Sequence, residues 1–172
     1  VYAIDIDKAA VDSYRENIDP NILLEDLFEV DLATLPKAKV VIGGPPCQSF
    51  SLVGKRDVHD NRSDLVWRYL EIINHVQPEY FVFENVLGII TAKRGEPFAD
   101  LKKLVDELGY DMEARVQIAS QHGVLQKRQR VIIVGWMRSE SNKYGYPELT
   151  VEEMCYSVMK DLFADLPLRK AG

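Results

Sequence analysis

The sequence predicts an α/β fold, a mainly parallel sheet with an antiparallel strand pair toward its C-terminal side. Three observations predict it. Short apolar runs alternate with amphipathic stretches through the first two thirds of the chain, the pattern of successive strand–helix units. Residues 111–119 and 130–136 then read as two strands with no helix between them, which favours antiparallel pairing. The 172 residues, 47% hydrophobic and 28% charged, suffice for one core, so a single domain over 1–172 is expected.

The elements follow in order. Val1 to Ile6 reads as a strand, and Asp7 as the N-cap of a helix through about Asn17 with Ala10, Val11 and Tyr14 inward. A weaker strand lies near Ile22 to Leu24. Val40-Val41-Ile42 reads as a short buried strand, broken at once by Gly43-Gly44-Pro45-Pro46. Residues 51–63 are polar and irregular, too long for a tight turn. Leu65, Val66, Tyr69, Leu70, Ile73 and Val76 recur at helical spacing over 64–76, and Pro78 ends that helix. Tyr80-Phe81-Val82-Phe83 reads as a buried strand. Pro97 opens a helix with Phe98, Leu101, Leu104, Val105 and Leu108 inward and Gly109 at its C-terminus. After the two later strands, Thr150 and Glu153 form a capping-box pattern for a last helix containing Met154, Val158 and Leu162.

Composition removes several classes. No run of about 18 apolar residues predicts a membrane span, and no signal-peptide pattern is read. Cys47 and Cys155 do not form the dense pattern of a secreted disulfide scaffold, so a reduced, cytoplasmic setting is expected. The net charge of −6 disfavours nucleic acid as a partner of the whole surface and leaves room for a local basic site.

Five spots could carry chemistry, and each also has a bland account. Cys47 stands on a rigid corner at a strand's C-terminal end, where α/β sheets bind ligands; a buried structural thiol is the alternative. Asp5 closes the first strand, where a carboxylate commonly accepts from a ribose, although turn and capping chemistry accounts well for neighbouring Asp7. Asp26-Leu27 sets a carboxylate beside an apolar wall, suited to an adenine, or is a solvated loop. Glu84 follows a buried strand, and poor solvation there would favour its neutral, proton-donating form; a polar strand terminus is the alternative. In Gln126-Lys127-Arg128-Gln129-Arg130, strand alternation would set Arg128 and Arg130 on one face, suited to a phosphate or a base edge, or the run is a solvated surface.

Taken together, GGPPCQSFS at 43–51, ENV at 84–86 and QKRQR at 126–130 resemble the DNA (cytosine-5)-methyltransferases in order and spacing. VYAIDIDKAAVDSYRENI at 1–18, the loop from Asp26 to Pro36 and LVDELGY at 104–110 extend the resemblance over nearly the whole chain. It implies a Rossmann-like methyltransferase sheet and S-adenosyl-L-methionine as cofactor. It also implies double-stranded DNA as partner, a flipped-out cytosine as substrate and membership of the restriction-modification type of enzyme. By this resemblance Cys47 is the nucleophile toward cytosine carbon 6, and Glu84 acts at ring nitrogen 3. Arg130 contacts the base carbonyl, and Arg128 supports the site or a phosphate. Asp5 and Ile6, Asp26 and Leu27, with Pro46, are the implied cofactor contacts. Gln48, Ser51 and Arg62 lie in the implied DNA-closing loop.

The departures from the family pattern are specific. Members normally open with a strand and a glycine-rich turn of the FxGxG type, and none precedes Val1. That strand would lie between those ending near Ile6 and Ile42, so an incomplete sheet with a gap is expected. A target-recognition domain and the last two family blocks do not follow within the sequence. His122 and Leu125 stand where the family more often has Tyr and Pro. Two functional readings remain open: a partial catalytic domain, or a non-catalytic fragment or split subunit completed by a chain supplying the missing segments.

Overall fold

The computed structural model describes residues 1–46, 65–124, 126–139 and 145–147. Among them six strands fall into two sheets. The first is a parallel pair, β1 (Ala3–Asp5) and β2 (Ile22–Leu24), in register Ala3↔Ile22 to Asp5↔Leu24. Between them runs α1 (Lys8–Asn17), whose start is fixed by Asp7 accepting the Ala10 amide at 2.8 Å. Val11 alone of this helix is buried, whereas Ala10 is exposed, narrowing the predicted inward face.

The second sheet has the order β3-β4-β6-β5. β3 (Val40–Gly43) pairs in parallel with β4 (Tyr80–Asn85), Gly43 lying opposite Phe83. β5 (Tyr110–Ile118) and β6 (Gln129–Met137) form the antiparallel pair that the sequence predicts, and β6 also runs antiparallel to β4. The three remaining α-helices among the described residues are α2 (Leu65–Val76), α3 (Gly88–Thr91) and α4 (Glu96–Glu107). Pro97 sits in the first turn of α4, where its missing N–H costs nothing. Gly109 takes φ +85° just past its end, a backbone that favours glycine.

The core lies on one face of the four-stranded sheet. Phe81 and Phe83 of β4 and Val131 and Ile133 of β6 pack with Tyr69 and Ile73 of α2 and Leu101 and Val105 of α4. The Tyr69 ring meets Phe81 and Phe83 edge-on, and its hydroxyl donates to the Val82 carbonyl at 2.7 Å and the Val41 carbonyl at 3.2 Å. This one residue therefore fastens α2 across both parallel strands.

Two expectations meet different outcomes. The division into two sheets matches the expected gap: neither β1 nor β3 has a second strand partner among the described residues. The buried character expected of β3 is corrected. Val40 is 47% and Ile42 75% exposed, because among the described residues β3 pairs only with β4, at the sheet edge. Alternation also sends these two to the face away from the core that Val41 packs against. The predicted last helix, and Met154, Val158 and Leu162 with it, lie outside the described residues.

Candidate active site

Parallel pairing sets the C-terminal ends of β3 and β4 side by side, and antiparallel β6 begins at that same edge. Alternation sends Phe83 and Val131 into the core, so Glu84 and Arg130 project from the other face. There Arg130 Nε stands 2.8 Å from Glu84 Oε1 in an ion pair. The guanidinium Nη1 donates to the Gln129 carbonyl at 2.7 Å, which fixes the planar group against its own strand. The Glu84 side chain is 42% exposed. This corrects the expectation of a poorly solvated carboxyl group: an open strand end and a guanidinium partner replace desolvation.

The glycine–proline corner lies against the same carboxylate. A Cβ on Gly44 would stand 3.2 Å from Glu84 Oε2. The corner is fastened to β4 by Asn85, which is 5% exposed. Its Nδ2 donates to the Pro45 carbonyl at 2.8 Å, and its Oδ1 accepts the Val86 amide at 2.9 Å. Sequence reasoning missed this clamp. Its only signal was a polar residue continuing the buried register of Phe81 and Phe83.

The other predicted residues are placed less uniformly. Arg128 lies before the first residue of β6, so strand alternation does not set its face as expected. Its side chain is exposed, and its carbonyl accepts the Ala119 amide at 2.8 Å, closing the β5–β6 connection. His122 Nε2 lies 2.8 Å from Gln117 Oε1 in that connection. Asp5 and Asp26 stand at one end of the β1–β2 pair, as parallel pairing requires. Asp5 Oδ1 accepts the Asp7 amide at 2.8 Å, and Asp26 Oδ1 accepts the Phe28 amide at 3.0 Å, so turn chemistry uses one oxygen of each. Ile6 is 67% exposed beside Asp5. The Leu27 carbonyl accepts from Arg68 Nε at 2.9 Å, tying this loop to α2. Pro46 is exposed. Cys47, Gln48, Ser51 and Arg62 lie outside the described residues.

The geometry thus joins the ends of three sequence motifs at one sheet edge, and comparison with known proteins agrees in kind. A family model described as "C-5 cytosine-specific DNA methylase" matches residues 1–170. The chain belongs to that family. Among its relatives, the type II methyltransferase M.BspRI of Lysinibacillus sphaericus is 39% identical over 150 residues, covering 87% of this chain and 35% of that protein. M.FnuDI of Fusobacterium nucleatum is 32% identical over 170 residues, covering 96% of this chain and 48% of that protein. This member of the family therefore spans about half the length, or less, of these curated relatives. Among solved structures, a putative DNA modification methyltransferase encoded within an E. coli prophage superposes with TM-score 0.75 at 25% identity, over 97% of this chain and 49% of that one. A Spodoptera frugiperda DNMT2 mutant shares the fold, with TM-score 0.66 at 20% identity over 87% of this chain and 46% of that one.

Proposed function

We propose that this chain is part of the catalytic domain of a DNA cytosine-5 methyltransferase, acting on a cytosine flipped out of double-stranded DNA. The observation that carries the reading is the Glu84–Arg130 pair, closed at 2.8 Å beside the corner that leads into Cys47. A carboxyl and a guanidinium side by side match the adjacent ring nitrogen 3 and carbonyl oxygen of cytosine. A nucleophile entering from the corner would then meet carbon 6.

The Cys47 thiolate adds to carbon 6, and the ring electrons move toward nitrogen 3 and the carbonyl. Glu84, in its protonated form, would donate a proton or hydrogen bond at nitrogen 3, while Arg130 turns to the carbonyl oxygen as charge gathers there. Carbon 5 becomes nucleophilic and would take the methyl group as the cofactor's S–CH3 bond breaks to leave the thioether. Its proton would then pass to a solvent base as the Cys47–carbon 6 bond breaks to return the thiolate. Arg128, exposed beside Arg130, supplies positive charge for a backbone phosphate. Gln48, Ser51 and Arg62 would close over the DNA.

S-adenosyl-L-methionine, when bound, supplies the methyl group as an electrophile. The end of the β1–β2 pair fits its adenosine half. Asp5 and Asp26 each keep one carboxylate oxygen outside their turn bonds, for ribose and adenine donors. Exposed Ile6 and half-buried Leu27, each next to one of these carboxylates in the chain, would supply apolar surface, and Pro46 is the further apolar contact that the family resemblance implies.

A second reading, a subunit completed by another chain, draws on the separate β1–β2 and β3–β4 sheets. One experiment separates the two. The chain, with and without added segments of a full-length relative, is offered S-adenosylmethionine and DNA bearing a cytosine analogue that cannot release its carbon 5 substituent. A covalent adduct at Cys47 from the chain alone supports a self-sufficient catalytic unit. An adduct only after complementation supports the split arrangement. A folded, complemented protein with no adduct refutes the catalytic reading.

A further inference from the structure

We infer that Gly44 is a positioning residue for Glu84: its missing Cβ sets where the carboxylate stands relative to Arg130. The catalytic consequence rests on the proposed function, but the geometric claim does not. The register Gly43↔Phe83 carries Gly44 alongside Glu84. A Cβ at Gly44 would lie 3.2 Å from Glu84 Oε2, 3.7 Å from the Glu84 carbonyl oxygen and 3.8 Å from its Cβ. The last two are ordinary van der Waals distances; the first is not. Gly44 has no left-handed backbone, so conformation does not demand glycine there. The demand comes from one carboxylate oxygen.

Two contacts oppose its yielding. Its partner Oε1 is ion-paired with Arg130 Nε at 2.8 Å, so the carboxylate stands between a guanidinium and the Gly44 Cα. The corner cannot readily recoil either, because buried Asn85 holds the Pro45 carbonyl at 2.8 Å. A methyl group at Gly44 therefore moves the carboxylate by a few tenths of an ångström and alters its ion pair with Arg130. Neighbouring Gly43 is a useful contrast. There a Cβ would come within 2.6 Å of the Tyr69 ring, so glycine at that position serves the core.

The test is a cycle of Gly44→Ala with Glu84→Ala. Gly44→Ala is expected to lower the melting temperature of the chain and to leave it unchanged in the Glu84→Ala background, where the obstructing oxygen is gone. In Gly44→Ala the Arg130 Nε–H resonance is expected to move toward that of a solvated arginine, a signal that general loosening of the corner does not produce. With complemented protein, adduct formation on the cytosine analogue is expected to slow about three- to tenfold with DNA affinity unchanged, in line with the steep cost of sub-ångström misplacement. Equal destabilisation in both backgrounds, or an unmoved Arg130 signal in folded Gly44→Ala, overturns the inference. If Gly44→Ala does not fold, the Glu84→Ala/Gly44→Ala double variant decides: its folding supports the inference and its failure to fold refutes it. An Arg130 response without any adduct from wild-type complemented protein keeps the positioning role and refutes the methylation reading instead.

Discussion

Replacing Asn85 with alanine should cost more stability than any other single loss of a polar side chain at the sheet edge. Asn85 is the one polar or charged residue buried among the described residues, and its amide serves two partners. Removing it strands the buried Pro45 carbonyl, which costs about 1–3 kcal/mol when no water reaches it. The Val86 amide loses its acceptor too, but Val86 is half exposed and water replaces most of that bond. The total is about 2–3 kcal/mol, a melting temperature lower by roughly 4–12 °C for a chain of this size. Differential scanning calorimetry or circular-dichroism melting measures it directly. Asn85→Asp is the companion variant: it keeps an acceptor for Val86 but turns an oxygen toward the Pro45 carbonyl, so it should be no more stable than Asn85→Ala at neutral pH. A melting temperature for Asn85→Ala within a degree of wild type would refute the clamp, as would an Asn85→Asp chain as stable as the parent.

Further outcomes follow from the packing. Tyr69→Phe removes the hydroxyl shared by the Val82 and Val41 carbonyls and should lose about 1–2 kcal/mol, seen as a lower urea midpoint at unchanged slope. Gly135→Ala would bring a Cβ to 2.0 Å from the Phe81 ring, so it should destabilise by about 2–3 kcal/mol, with recovery on adding Phe81→Leu. Burial pushes the Tyr110 phenol up to about 12. The unfolded phenol ionises near 10, so Tyr110 contributes stability that is complete below that pH and is lost as pH rises toward 12. Alkaline titration at 295 nm should therefore show Tyr69 and Tyr110 silent while the chain stays folded, and early ionisation of both would contradict the packing.

Helical spacing made α2 and α4 legible, and local chemistry placed their ends: Pro97 in a first turn, Gly109 past a last one, Asp7 as a cap. The missing helix between residues 119 and 129 correctly marked the antiparallel pair. What local pattern could not carry was the environment created by distant strands. An apolar run such as Val40-Val41-Ile42 reads alike whether a strand is central or at an edge, and its exposure depends on a neighbour. Glu84 was expected to be poorly solvated because only the strand before it was in view; its guanidinium partner arrives from β6. Asp5 looked free for a ligand because the Asp7 amide bond depends on how the chain leaves β1. Arg128 was assigned a strand face that begins only at Gln129.

The two sheets also divide the proposed labour physically. The main core draws its buried residues from α2, β4, α3, α4, β5 and β6, and none from β1, α1 or β2. The Glu84–Arg130 pair thus stands on strands that this core supports. The β1–β2 unit has its own small set of buried contacts at Val11 and Ile22. Its following loop is tied to α2 by Arg68, which donates to the Leu27 and Val30 carbonyls, and by Lys37, which donates to the His75 and Val76 carbonyls. Such tethers fix a loop more firmly than they fix a strand pair whose outer edge has no strand partner among the described residues, because they do not pair that edge's backbone groups. The geometry that would read the base should therefore be stable in this chain, while the surface that would hold the cofactor depends on what lies beside β1. Hydrogen exchange distinguishes the halves: amides of β4 and β6 should be protected near the global limit, and those of β1 should exchange through smaller openings. Equal protection in both would mean that the division of the sheet carries no energetic weight.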